Sequence, residues 1–186
     1  MTARRSRPTF LRDTHGAAAS EFVLWLSLLI FPLLSAVDVG VYIFQKMQLE
    51  IAAQAAVQAA WSSCDEGSKL PAVENCGDLA GTITTAAQST SLGSYVTVVA
   101  GSPVENYYCV NGSGDLLPVG TEGTIGSPPT KPTPFTCASV IGGSTTEPAD
   151  YIQVTVSFDY TPVFPAVSVV SLLETPITRT AWMRLS

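Results

Sequence analysis

The residues of this chain that can do chemistry are a lone carboxylate and four thiols. Glu21 lies inside the apolar run from Ala17 to Val37, five positions after Gly16, and is the one charge in those 21 residues. A charge within a membrane segment costs on the order of 2.5–3.5 kcal/mol by insertion scales, and it is tolerated when a cation pairs with it. Cys64, Cys76, Cys109 and Cys137 all follow the run and offer disulfide formation or metal ligation. Nucleophilic catalysis has little to work with. His15 is the chain's one histidine and precedes the run, so no Ser-His or Cys-His arrangement and no HExxH motif can follow it. Gly112-Ser113-Gly114 does not match a phosphate-binding or dinucleotide loop, and no motif pairs two acidic residues for acid–base work. Asn111, Ser113 and Asp115 do not follow the order of an EF-hand, so a solvated turn is the expectation there. Asn111-Gly112-Ser113 also matches a glycosylation sequon, which we treat as chance. The expectation is no enzyme, no cofactor and no small-molecule substrate.

These residues are positioned by a basic leader and a long helix. Residues 1–16 hold Arg4, Arg5, Arg7 and Arg12 against Asp13, a net charge of +3. The whole chain is at −6, so the remainder is at −9. An acidic body without a basic stripe argues against nucleic acid as a partner. At about 1.5 Å per residue, Ala17–Val37 spans roughly 32 Å, close to the ~30 Å hydrocarbon core of a bilayer. The basic leader then predicts a cytoplasmic N-terminus. A secretory signal fits poorly, because cleavage after Ala36 leaves Leu34 at −3 and cleavage after Val37 leaves a branched residue at −1. An uncleaved signal anchor is the alternative.

Gly16, the small residues Ala17-Ala18-Ala19-Ser20, then Glu21-Phe22 and an apolar helix resemble a class IVb prepilin processing site. Asp38-Val39-Gly40, Leu49 and the Ala52–Ala60 segment extend this to a resemblance with TadE-like minor pseudopilins of the Tad (Flp) pilus. It is specific over residues 10–62 and looser over Tyr160-Thr161-Pro162 and Ile177–Leu185. The resemblance implies cleavage by a prepilin peptidase between Gly16 and Ala17. It implies that Glu21, beside Phe22, registers subunits by pairing with the new terminal amine of a neighbour. It further implies partnership with other Tad pilins and the inner-membrane assembly platform, and a role in attachment. From the residues alone, Glu21 could instead simply answer a helix dipole.

The resulting organisation is a leader over 1–16, a transmembrane helix over 17–44, an amphipathic continuation over 45–62, and an extracytoplasmic α+β domain over 63–186. Pro8 and Gly16 disfavour helix in the leader, and Pro32 should loosen the turn before it. Asp38 reads as a solvated interfacial charge. Lys46, Glu50, Gln54 and Gln58 form a narrow polar stripe on a helix otherwise rich in Ala, with Met47, Leu49, Ile51, Val57 and Trp61. Ala is the best helix former, but these larger side chains point to packing on more than one side. Asp78 should cap a short helix over 79–91. Strands are expected over 95–100, 104–110, 151–160 and 177–185, the last two paired antiparallel. Residues 119–134, dense in Gly and Pro, read as loop. Residues 163–173 are apolar, too short to span, and either fold back on the core or meet a partner.

Of the three possible cysteine connectivities, we favour Cys64–Cys76, stapling the helix end, and Cys109–Cys137, closing the Gly/Pro-rich loop. Zinc is disfavoured by the lack of a C-x-x-C pair and of histidine beyond the leader.

Overall fold

In the computed structural model, which describes residues 14–64, 66–165 and 169–186, helix α1 runs unbroken from Thr14 to Cys64. Two of its features follow from composition. The helix pairs the backbone groups of the apolar run internally except for the one bond that Pro32 removes, and the Ala-rich half adds the strongest helix former. Ser27 and Ser62 return their hydroxyls to the carbonyls of Leu24 and Ala59, so neither competes with the ladder. Pro32 lies inside the helix without ending it. Gly16 itself lies within α1, two residues after its first residue, and the expectation that Pro8 and Gly16 disfavour a continuous helix across the leader falls mostly outside the described residues. Residues 1–13, most of the leader, lie outside the described residues.

Two compact units share this helix. One comprises residues up to Tyr42 together with Thr161–Leu173; the other comprises Ile43–Tyr160 and Glu174–Ser186. The second unit is the α+β domain. A one-turn helix α2, Ala72–Asn75, precedes α3, Leu79–Ala87. The strands are β1 Thr97–Val98, β2 Val104–Val110, β3 Leu116–Thr124, β4 Ala149–Phe158 and β5 Ile177–Arg184. All pairings are antiparallel, and β4 organises them. On one side β4 pairs with β5 over its length, from Tyr151 opposite Arg184 to Phe158 opposite Ile177. On the other side β1 and β2 lie end to end, with Val98 opposite Val156 and Val104 opposite Gln153. Where the partner changes, the Thr155 N–H would lose its ladder acceptor; the Ser102 hydroxyl accepts it instead at 2.9 Å. β3 completes the edge beside β2.

The core is built by alternation. Ile152, Val154, Val156 and Phe158 of β4 are buried, with Tyr160 beyond them, as period-2 patterning requires. Ala181 and Leu185 are buried on and just beyond β5. From α1, Leu49, Ala52, Ala53, Ala56, Val57 and Ala60 are buried, and α3 adds Leu79, Ile83 and Ala87. Small residues on α1 allow a close approach of backbone to neighbour. The second bridge lies in its own small cluster, Cys109 and Cys137 with Val119.

Two local expectations are corrected. Asp78 takes a left-handed conformation with φ of 52° and makes no side-chain capping bond; its carboxylate lies over Gly81, where a Cβ would collide with it. Residues 119–134 are not all loop, because β3 extends to Thr124. Gly120 and Gly123 suggest loop by propensity, yet there a Cβ would run into the Thr130 carbonyl and Pro129 respectively. These glycines admit the following Pro-rich segment against the strand.

The disulfides join Cys64 to Cys76 and Cys109 to Cys137, with Cα separations of 5.7 and 5.8 Å. The second ties β2 to the connection between β3 and β4. Removing such a bridge costs about 2–4 kcal/mol. Cys137→Ser should therefore speed proteolysis between residues 125 and 148, read by limited digestion and mass spectrometry. Digestion as slow as in the parent chain would show that this segment is held without the bridge.

Candidate functional site

The α1 segment that carries Glu21 is exposed along its length. Phe22, Leu24, Trp25, Leu28, Leu29 and Leu33 are each more than 60% accessible, and the chain covers almost none of this strongly apolar stretch. The core helix of a water-soluble domain would be covered by its own chain; this one is not. By length and composition it is a single candidate membrane anchor near the N-terminus. Glu21 is exposed on it, seven residues after Thr14 and so past the first turn. The helix dipole, which acts within the first turn, therefore does not account for Glu21 in the uncut chain. Gly16 and Ala17 lie in the first turns of α1 by backbone.

Asp38 behaves differently from its expected reading. It is fully buried rather than solvated. Its Oδ1 accepts the Val163 N–H at 2.9 Å and its Oδ2 accepts the Phe164 N–H at 3.2 Å. A carboxylate receiving two backbone donors is a charge-assisted bidentate contact. The sequence held a signal for this that composition hides: an ionisable residue flanked by apolar residues on both sides, Ala36-Val37 and Val39-Gly40-Val41, asks for an internal partner. That partner lies 125 residues away, and no local pattern identifies it.

Beyond Asp38, α1 divides its circumference. The Leu49–Ala60 residues named above face inward, while Ile43, Phe44, Met47, Ile51 and Trp61 remain 43–59% exposed. Of the polar stripe, Lys46, Gln54 and Gln58 are exposed, and Glu50 reaches Arg179 of β5 at 3.4 Å. That pair is partly solvated and contributes little to stability. A Cβ on Gly40 would meet nothing within 4 Å, so nothing in the chain itself demands glycine there.

A second polar centre was not anticipated. Glu105 on β2 is fully buried, and its Oε1 and Oε2 accept the N–H groups of Ala72 and Val73, each at 2.8 Å. These are orphan donors of the α2 turn that follows Pro71. Because Glu105 stands opposite Ile152 and Tyr107 opposite Asp150, Glu105 and Asp150 are diagonal neighbours on one face of the sheet. Asp150 is 2% exposed. Burial, then repulsion from Glu105, then a hydrogen bond shared with Glu105, push its carboxyl up to about 8, against an opposing pull from Lys131 and a bond from the Tyr151 backbone. The repulsion is greatest when both carboxylates are charged, so protonation of Asp150 relieves it. Asp150 borders a cavity of about 460 Å³ lined also by Tyr107, Lys131, Phe135, Glu147 and Arg184. Among the described residues no group of three His, Cys, Asp or Glu is placed to hold a metal ion.

The sign of the pH effect follows. Between the ordinary aspartate value and about 8, the unfolded chain has released this proton while the folded chain retains it, so stability falls as pH rises through that window and levels off above it. Asp150→Asn removes the titrating group and keeps the side chain's shape. Its urea midpoint should decline less between pH 5 and pH 8 than the parent's; an equal decline would remove Asp150 as the source.

The TadE-like protein family model matches residues 16–58, covering Gly16, Glu21, the apolar span, Asp38 and the Ala-rich half of α1 up to Gln58. No curated protein and no solved structure is significantly similar to the chain.

Proposed function

We propose that this chain, whose residues 16–58 carry the TadE-like segment, is a minor pseudopilin of a Tad pilus. The observation that carries this reading is the length of the exposed apolar surface on α1. A bilayer core accommodates about 20 helical residues, which are used up between Ala17 and Val37. Exposed apolar side chains nevertheless continue through Ile43, Phe44, Met47 and Ile51 to Trp61. From Asp38 to Trp61 is about 35 Å further along the helix. Lipid cannot cover that stretch, and water is a poor solvent for it. Neighbouring helices of the same kind cover both parts with one surface. A module that is merely anchored has no use for the second part.

The remaining features fit the same role. The basic leader sets the N-terminus in the cytoplasm by the positive-inside rule. The cysteine-bridged domain then lies outside the inner membrane, where disulfides persist. A prepilin peptidase removes residues 1–16, making Ala17 the terminus and Glu21 the fifth residue of the mature chain. In a water-poor helix bundle, Glu21 pairs with the terminal ammonium of an adjacent subunit, because an unpaired charge there is costly. The role is structural: initiating, completing or tipping a pilus used in attachment.

Two measurements test this. Intact mass and N-terminal sequencing of the membrane-expressed protein, with and without a Tad prepilin peptidase, should show loss of residues 1–16 with the peptidase alone. An uncut chain favours a signal-anchored module that does not assemble. Glu21→Ala should leave that cleavage largely intact yet reduce pilus number at least several-fold, counted by electron microscopy in cells lacking the native gene copy. Normal piliation in that variant would end the assigned role of Glu21.

A further inference from the structure

The segment that follows β4 groups with the membrane helix rather than with the sheet from which it emerges. Thr161–Leu173 and the chain up to Tyr42 form one compact unit. The segment carries no charged residue. Its described apolar side chains face outward: Val163 is 57% accessible, Val169 50% and Leu172 85%, whereas Val170 is buried. Such a loop in water exposes apolar surface without return.

Its backbone explains where it is at ease. Loops are excluded from low-water surroundings because their N–H and C=O groups go unpaired. In Pro162-Val163-Phe164-Pro165 that objection is met for every donor. Pro162 and Pro165 have no N–H, and the N–H groups of Val163 and Phe164 both end on the Asp38 carboxylate. Further on, Val169–Leu172 form a 3-10 turn, and the Leu173 N–H closes onto the Val170 carbonyl at 2.9 Å. The same two bonds from Val163 and Phe164 fall on Asp38, a buried carboxylate set among apolar residues.

Depth along the helix is set by geometry. If the apolar run begins at Ala17, Asp38 lies about 32 Å along α1, at the outer edge of the hydrocarbon. The loop is fastened there by its two hydrogen bonds to Asp38. We infer that the loop flanking Asp38, with Val163, Val169, Leu172 and Leu173 as its contact residues, is a second membrane contact seated in the outer interfacial layer of the bilayer. It rests on the reading of α1 as a membrane anchor. Asp38 acts here as the pin that holds the loop at that depth.

The test uses the full chain, oxidised so that its native cysteines are paired, with one added cysteine at a time carrying an environment-sensitive fluorophore. Leu172→Cys reports the loop, Leu29→Cys the helix and Ser113→Cys the solvated turn. Each is reconstituted in phosphatidylcholine–phosphatidylglycerol vesicles, with and without lipid bearing a nitroxide near the headgroup. The expected result is a blue-shifted Leu172 label whose emission the nitroxide at least halves, while the Ser113 label is unchanged. A Leu172 label that behaves like Ser113, alongside a shifted Leu29 label, overturns the loop contact and leaves the anchor standing. A Leu172 label that is shielded but not quenched, and loses its shielding as lipid is added in excess, overturns the loop contact in favour of a second copy of the chain. A Leu29 label without a shift overturns the anchor and the loop contact together.

Discussion

Everything in this protein depends on one helix having to satisfy two surroundings without interruption. α1 closes its backbone bonds internally along Thr14–Cys64 apart from its ends and the one bond that Pro32 removes, so its main chain asks little of its surroundings. What changes along the rod is the side-chain circumference. Toward the N-terminus it is apolar and exposed all round. After Tyr42 one flank, built of Leu49, Val57 and closely spaced alanines, becomes core. Alanine suits both duties, since it keeps the helix stable while leaving room for a neighbouring backbone.

Against that background, charged groups on and near the rod carry more consequence than their number suggests. Glu21 is left exposed in a stretch that has no water of its own once in lipid. Asp38 has solved the same problem inside the chain, by taking both donors of a Pro-flanked loop. The two carboxylates therefore differ, Asp38 being enclosed by the chain and Glu21 exposed on α1. Glu105 and Asp150 show a third arrangement, in which the orphan donors of a short helix bind one acid while burial beside it raises the proton affinity of the other. Two buried acids on one diagonal are a polar element that only one sheet register accommodates, because a one-residue slip would turn both side chains to the other face.

Much of this was legible in the residues. The 21-residue apolar run with its basic leader pointed to an anchor. Alternation in 151–160 located β4 and the face it buries, because a half-covered strand leaves a period-2 trace. The cysteine order made Cys64–Cys76 and Cys109–Cys137 the natural bridges. Other features were hidden for identifiable reasons. Gly120 and Gly123 imitate a loop, although in β3 they serve the close passage of Pro129 and Thr130. Asp78 had the residue type of a cap but the wrong backbone conformation to be one.

The sequence by itself determined the properties that depend on neighbours along the chain: a helix of bilayer length, its charge-free stretch, its alanine-rich continuation and strands with one wet face. These are set by local propensity and by periodicity, which a linear string records. Only the tertiary structure decided that residues 161–173 belong with the anchor, that Asp38 is enclosed, and that Glu105 meets Asp150. Each of those joins residues more than forty positions apart, and each depends on which donor or acid the fold brings within about 3 Å, or onto one diagonal of a sheet. That information exists only once the sheet register and the path of the loop are set.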